Sequence, residues 1–240
     1  MVRAQAWMEI RLLLRNGEQL LLALVIPLVV LVAGAAGARA LDVGGARPID
    51  TVAPGVLALA VMSTSLTSLA IATGFERRYG VLKRLGASPL PRSGLLAAKV
   101  CAILLVELLQ SAVIVPTGLA LGWRPDLSVA AVAGAAGVAA AGTAAFAALG
   151  LLIAGTLRAE ATLAAANLLF VLFMIGGGVV VPSRFYGDAG ALVEWLPSAL
   201  LGDGMRGALV SGDLPWTAIG VLLAWAAAGT FATMRTFKWE

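Results

Sequence analysis

Six stretches of this chain run for about 20 residues or more with almost no charge, which is the length a helix needs to cross the hydrocarbon of a bilayer. They are Gln19 to Ala38, Val52 to Gly74, Val100 to Gly122, Leu127 to Ala154, Ala161 to Val181 and Pro215 to Met234. Glu107 is the one ionisable residue inside any of them. Bilayer-spanning strands would show about ten residues of alternating character, whereas these runs are continuously apolar. The sequence therefore predicts an all-α membrane protein of six transmembrane helices, forming one domain over residues 1–240. The composition agrees: 60% of residues are hydrophobic, 12% are charged and the mean hydropathy is +0.96. A chain exposing that surface to water would aggregate.

The same composition excludes several chemistries. There is no His, so Ser/His and Cys/His catalysis and histidine-bearing metal or haem sites are excluded. The single Cys101 cannot form an internal disulfide. None of the three lysines, Lys83, Lys99 and Lys238, follows a Gly, so the core of a phosphate-binding P-loop is missing. Any ATP the function requires is bound by another chain.

Basic residues resist translocation and so orient the spans. With the N-terminus inside, 12 of the 17 Lys and Arg residues fall on the cytoplasmic side, and both termini are expected there. The basic balance thus reports topology, not nucleic-acid binding. Before the first span, Trp7, Ile10 and Leu14 share one helical face while Arg11 and Arg15 lie on another, which suits a helix over residues 1–18 lying in the headgroup plane.

Two connections are longer than turns require. Residues 75–94 form the charged cytoplasmic element, in which Phe75, Tyr79 and Leu82 make an apolar stripe while Arg77, Arg78, Lys83 and Arg84 project elsewhere. Such a helix can seat in a partner's groove, with its arginines as rim contacts, or can be a loop that merely holds topology. Residues 182–214 contain apolar pieces too short to cross, bounded by Pro182, Pro197, Gly202 and Gly204. They read as short interfacial or re-entrant helices before the last span.

Within the spans, Glu107, Gln110 and Ser111 share one face of the third helix and should point into the bundle or a wet cavity, and Asn167 is the polar residue of the fifth. With no second acid or His in the membrane to continue a proton relay, Glu107 reads as an interhelical anchor; the competing reading is a cavity site. Small residues every four positions, Ala133, Gly137, Ala141 and Ala145 in the fourth span and Gly118 and Gly122 in the third, are assigned to close helix packing.

The order of parts, with E-R-R-Y-G-V-L-K-R-L-G-A-S-P-L at 76–90, R-L-L-L-R-N at 11–16 and W-L-P-S-A-L-L-G-D-G-M-R at 195–206, resembles the ABC-2 type permeases, the membrane subunits of type-2 ATP-binding-cassette exporters. The resemblance implies a coupling helix at Glu76, Arg77, Arg78, Tyr79, Gly80, Leu82, Lys83, Arg84, Leu85 and Gly86, which would contact a separate ATPase. It implies an outer gate that includes Pro182, Trp195, Pro197, Gly202, Asp203, Gly204 and Arg206. It further implies that ATP and Mg are cofactors of the ATPase and not of this chain, and that a second permease, identical or related, is a partner. Membrane lipid surrounds the pair, and the expected location is the cytoplasmic membrane of a bacterium. The expected activity is outward movement of a drug-like or lipid-like amphiphile, with no covalent chemistry in this chain. A non-transporting assembly protein and, more weakly, an intramembrane enzyme are the readings from other classes.

Overall fold

The computed structural model describes residues 8, 11, 17–40, 47–81, 84 and 92–236. Most of the proposed interfacial helix, and Leu82, Lys83, Leu85 and Gly86 of the coupling element, lie outside the described residues. Every regular element among the described residues is helical: α1 (Gly17–Ala40), α2 (Pro48–Arg78), α3 (Arg92–Ala120), α4 (Val129–Thr156), α5 (Ala159–Gly176), α6 (Gly190–Val193), α7 (Pro197–Arg206) and α8 (Trp216–Thr236). A 3-10 segment, Ser183–Ala189, precedes α6, and a π-helical turn, Gly207–Ser211, extends α7. Five helices are long and apolar enough to cross a membrane over their described residues: α2, the Ala98–Ala120 part of α3, α4, α5 and α8. The first apolar stretch is helical over 24 residues in α1, of which Leu24–Gly37 counts as a shorter apolar helix.

The bundle is organised around α2. In its most apolar window 72% of the residues are buried, against 17% in α5 and 11% in α8, so α2 is central and α5 and α8 lie at the surface. Its Pro48 half touches α1, α3 and α7, and its Arg78 half touches α4 and α5. Between these halves Ser63–Ser68 form a π-helical turn, the one-residue insertion that widens a helix locally. The widened turn brings the Leu66 carbonyl against α4 so closely that a Cβ on Gly150 would lie 2.9 Å from it. A glycine is therefore required where these two central helices touch.

Small residues in α4 act as expected, with one correction. Ala141 and Ala145 are buried, and Gly137 meets Ile219 of α8, but Ala133 is exposed and outside the stripe. At the end of α3, Gly122 has no neighbour against it, whereas Gly118 faces Ala53 of α2. It takes the Trp123 ring, folded back because Gly122 turns the chain with φ of 94° and Trp123 N–H bonds to the Gly118 carbonyl at 2.9 Å. The residues near Trp195 also depart from a surface role: α7 is buried through Ser198, Ala199, Leu201, Gly202, Gly204 and Met205, wedged between α2, α4 and α8.

Candidate functional site

Three polar clusters punctuate the apolar bundle, and two of them sit at opposite ends of α2. At the Arg78 end the helix stops because Gly80 adopts a left-handed φ of 68°, which lets its N–H reach the Arg77 carbonyl at 3.1 Å. Helical pairing resumes at once, from Arg84 N–H to the Gly80 carbonyl at 3.1 Å. Tyr79 is left 65% exposed, with Phe75 stacked against it at 6.2 Å. An aromatic pair is thus presented at this end; Leu82, the third residue of the predicted stripe, lies outside the described residues.

The charged residues of this element behave differently from the rim set expected of them. Arg77 turns inward and donates to the Gly155 carbonyl at 2.7 Å and to the Leu157 carbonyl. Those carbonyls close the end of α4, where the backbone has no helical donors left and the helix dipole is negative, so a guanidinium is well placed there. Arg78 pairs with Glu160 of α5 in a solvent-exposed ion pair, worth little on its own. Glu76 accepts from the buried Lys99 ammonium of α3 at 2.7 Å to each oxygen. Thr162 packs its methyl against Gly74. Three neighbouring residues therefore tie the end of α2 to α3, α4 and α5, a role that sequence spacing alone does not reveal.

Midway along the bundle, the hydroxyl of Thr143 on α4 donates to Glu107 of α3, at 2.9 Å and 3.0 Å to its two oxygens. Glu107 is 7% exposed, so this bond satisfies part of a carboxyl that would otherwise be stranded. Thr64, in the π-helical turn of α2, donates to Gln110 at 3.0 Å. Glu107 and Gln110 thus face the bundle as expected and brace α3 against α4 and α2. Asn167 does not join them: it is exposed on α5. Glu107→Leu should lower the yield of folded protein and its thermal midpoint, because a buried Thr143 hydroxyl left without its acceptor is destabilising by about 1–3 kcal/mol. Glu107→Gln keeps an acceptor and should retain most of both, a contrast that parallel melting of detergent-purified variants checks.

At the Pro48 end, Arg206 is the hub. Its guanidinium donates through Nε to the Thr51 carbonyl at 3.1 Å, and through Nη1 to Asp203 at 2.7 Å and the Gly178 carbonyl at 3.5 Å. Through Nη2 it donates to the Val179 and Val180 carbonyls at 2.7 Å and 2.5 Å. Those five bonds use every N–H that an arginine side chain has. Asp203 also receives the Ser183 N–H, Ser198 donates to the Gly177 carbonyl at 2.6 Å, and Tyr186 donates to the Ile175 carbonyl at 2.7 Å. The irregular backbone after α5 is thereby sewn to α7 and to the first turn of α2. Glycines make the approach possible: a Cβ on Gly202 would lie 2.5 Å from the Val179 carbonyl, and one on Gly55 would lie 2.6 Å from the Arg206 guanidinium. Pro197 opens α7 at a first-turn position where its missing N–H is harmless, and Trp195 offers its carbonyl to the Trp225 indole of α8 at 3.2 Å. Gly204 faces Val138 of α4 and Ala218 of α8, whereas Pro182, Gly202, Asp203 and Arg206 are gathered around this knot. Trp195 stays 56% exposed beside it.

No group of three or more metal-ligating side chains occurs among the described residues. The arrangement is mechanical: one central helix anchored by polar networks at both ends and braced in the middle. No curated protein and no solved structure matches the chain. A family model described as ABC-2 type transporter matches residues 2–210, which covers every cluster above except the last helix that packs on them. The chain therefore belongs to the ABC-2 type transporter family, as a multi-pass transmembrane transporter subunit that is not itself catalytic.

Proposed function

We propose that the chain is the permease of an ATP-driven exporter that moves a hydrophobic or amphiphilic, drug-like or lipid-like substrate outward, powered by a separate ATPase that binds ATP and Mg. The observation that carries the reading is the continuity of α2. Its 31 residues span roughly 45 Å, from the Thr51 carbonyl held by Arg206 to the Arg77 clamp beside the exposed Tyr79. A push delivered at residues 76–86 would be shared with α3, α4 and α5 through Glu76, Arg77 and Arg78, and carried to the outer segment at residues 182–214. The π-helical turn between the ends supplies a place where the helix can change register. Two permeases, each with six spans and with both termini in the cytoplasm, would enclose the path in a bacterial cytoplasmic membrane. Closure of the ATPases would then bias the outer segment towards opening, a population shift driven by nucleotide.

The direct test is co-expression with the candidate ATPase. The two chains should copurify, and inverted vesicles should accumulate a lipophilic dye only with hydrolysable ATP. Copurification without ATP-dependent movement favours the assembly-protein reading. The topology is checked separately with a Cys101→Ala background. A cysteine at Asp188 should react with an impermeant maleimide from outside the cell, whereas one at Arg158 should react only after permeabilisation. Labelling of Arg158→Cys in intact cells would invert the orientation and remove the exporter mechanism.

A further inference from the structure

A cavity of about 430 Å³ lies between α2, α3, α4 and α7, separate from the Arg206 knot and from the Arg77 clamp. Its wall is aliphatic almost throughout, with Leu57 and Val61 from α2, small alanines from α4, and Met205 from α7. Leu108 and Leu127 at its rim are 67% and 73% exposed, so the cavity opens sideways on the apolar surface and not into a polar vestibule. That size and lining are those of sites for small apolar ligands, in which a few polar groups fix orientation.

Three polar groups line this cavity. Glu107 is among them, and its single hydrogen-bond partner among the described residues is the Thr143 hydroxyl. One proton shared between two carboxyl oxygens leaves most of their acceptor capacity unused. Ser111 follows one helical turn later, on the same wall. The third is Trp123, 3% exposed, whose indole N–H is buried with no hydrogen-bond partner. A buried donor without an acceptor is unfavourable and rare in a native fold, so it calls for a specific explanation. The Trp123 ring rests on Gly118, eleven residues past Glu107, or roughly 16 Å along the helix. The cavity is therefore a long apolar slot, with acceptor capacity at the Glu107 end and, at the other, a wall that includes the Trp123 ring with its unpartnered N–H buried behind the surface.

We propose that this slot binds an elongated amphiphile bearing an amine head, with the ammonium donating to Glu107 and Ser111 and a hydrogen-bond acceptor on the distal part of the molecule meeting the Trp123 indole. An ammonium supplies N–H donors and the charge that makes a buried carboxyl a favourable partner, which a neutral or anionic head cannot do. The Thr143 bond and the ammonium are compatible, because they use different lone pairs of the same carboxyl group. This proposal rests on the transporter reading only in calling the bound amine a substrate. Because Met205 adjoins Arg206, an occupant would touch the segment that the exporter mechanism requires to move.

The test measures equilibrium binding of radiolabelled probes to the full chain in nanodiscs of zwitterionic lipid, with empty discs subtracted and no ATPase present. Dodecylamine and methyl 12-aminododecanoate should bind saturably, whereas dodecanol and dodecyl sulfate should only partition. Glu107→Gln should weaken both amines at least tenfold, and Trp123→Phe should weaken the amino ester several-fold while leaving dodecylamine within twofold. Ala136→Phe, which fills the slot without touching the Thr143 bond, should abolish saturable amine binding and so covers the case in which the Gln variant fails to fold. Equal binding of dodecanol and dodecylamine, or wild-type amine affinity in Ala136→Phe, would overturn the site. Saturable amine binding by a chain that never moves an amine under ATP would instead overturn the exporter reading and leave the site standing.

Discussion

Arg206→Leu should be the most damaging single substitution outside the coupling element, and Arg206→Lys should fail to restore it. Removing the guanidinium strands the Thr51, Gly178, Val179 and Val180 carbonyls and leaves Asp203 without its counter-ion, in a place where Arg206 is only 11% exposed. Breaking a buried charged network by deleting one partner typically destabilises by about 3–5 kcal/mol, against a total folding stability of roughly 5–15 kcal/mol for a domain. Lys has three donors on a flexible stem and cannot reproduce a planar fork that satisfies three successive backbone carbonyls from one side. The expected result is a thermal midpoint lowered by roughly 10 °C or more for both variants. The outer segment should also become sensitive to protease added outside the cell. Asp203→Asn should be milder, because its amide oxygen can still accept from Arg206. An Arg206→Leu protein that melts with wild type and resists protease would show that the knot is not what holds the segment in place.

That knot also marks the limit of what the sequence makes legible. Five of the six expected spans were readable because burial in hydrocarbon demands long uncharged runs, and Glu107 was readable as bundle-facing because its desolvation has to be offset. Residues 182–214 were readable as short helices from Pro and Gly punctuation. The role of Arg206 was not, since its partners are mostly backbone carbonyls, and every residue type carries one. The same reason hid Arg77, whose acceptors are the free carbonyls at the end of α4, and led to its expectation as a rim contact. The π-helical turn at Ser63–Ser68 has no sequence code of its own. Its run of hydroxyls was visible, but nothing in the spacing says that one extra residue is accommodated there. Trp123 has the look of an interfacial tryptophan near a span end. Only the left-handed turn at Gly122, which folds it back onto Gly118, puts its indole inside. Asn167 shows a further limit: it is the polar residue of an apolar run, yet it is exposed on α5, a helix that packs little of its circumference against this chain.

Tyr79→Asp should disconnect the permease from its ATPase far more severely than Arg78→Ala. Tyr79 is an exposed ring, backed by Phe75 and presented just before the turn at Gly80, so it is pre-positioned as an anchor rather than ordered on contact. Its burial in a partner groove should contribute roughly 2–3 kcal/mol, or roughly 30- to 150-fold in affinity, and an introduced carboxylate would add a desolvation penalty. The Arg78 guanidinium is half-exposed and already paired with Glu160, so its removal takes away a screened interaction worth at most about 1 kcal/mol. Leu82 continues the same apolar stripe in sequence, and Leu82→Asp is expected to match Tyr79→Asp. Arg77→Ala separates docking from transmission: the ATPase should still bind, since Arg77 points into the bundle, but hydrolysis should no longer respond to substrate, because the end of α2 is freed from α4. Pull-down and substrate-stimulated hydrolysis in reconstituted vesicles read the two effects independently. If Tyr79→Asp and Leu82→Asp both hold the ATPase at wild-type affinity, the force enters the permease elsewhere. The clamp formed by Glu76, Arg77 and Arg78 would then be only the brace that keeps a topology-setting loop in register.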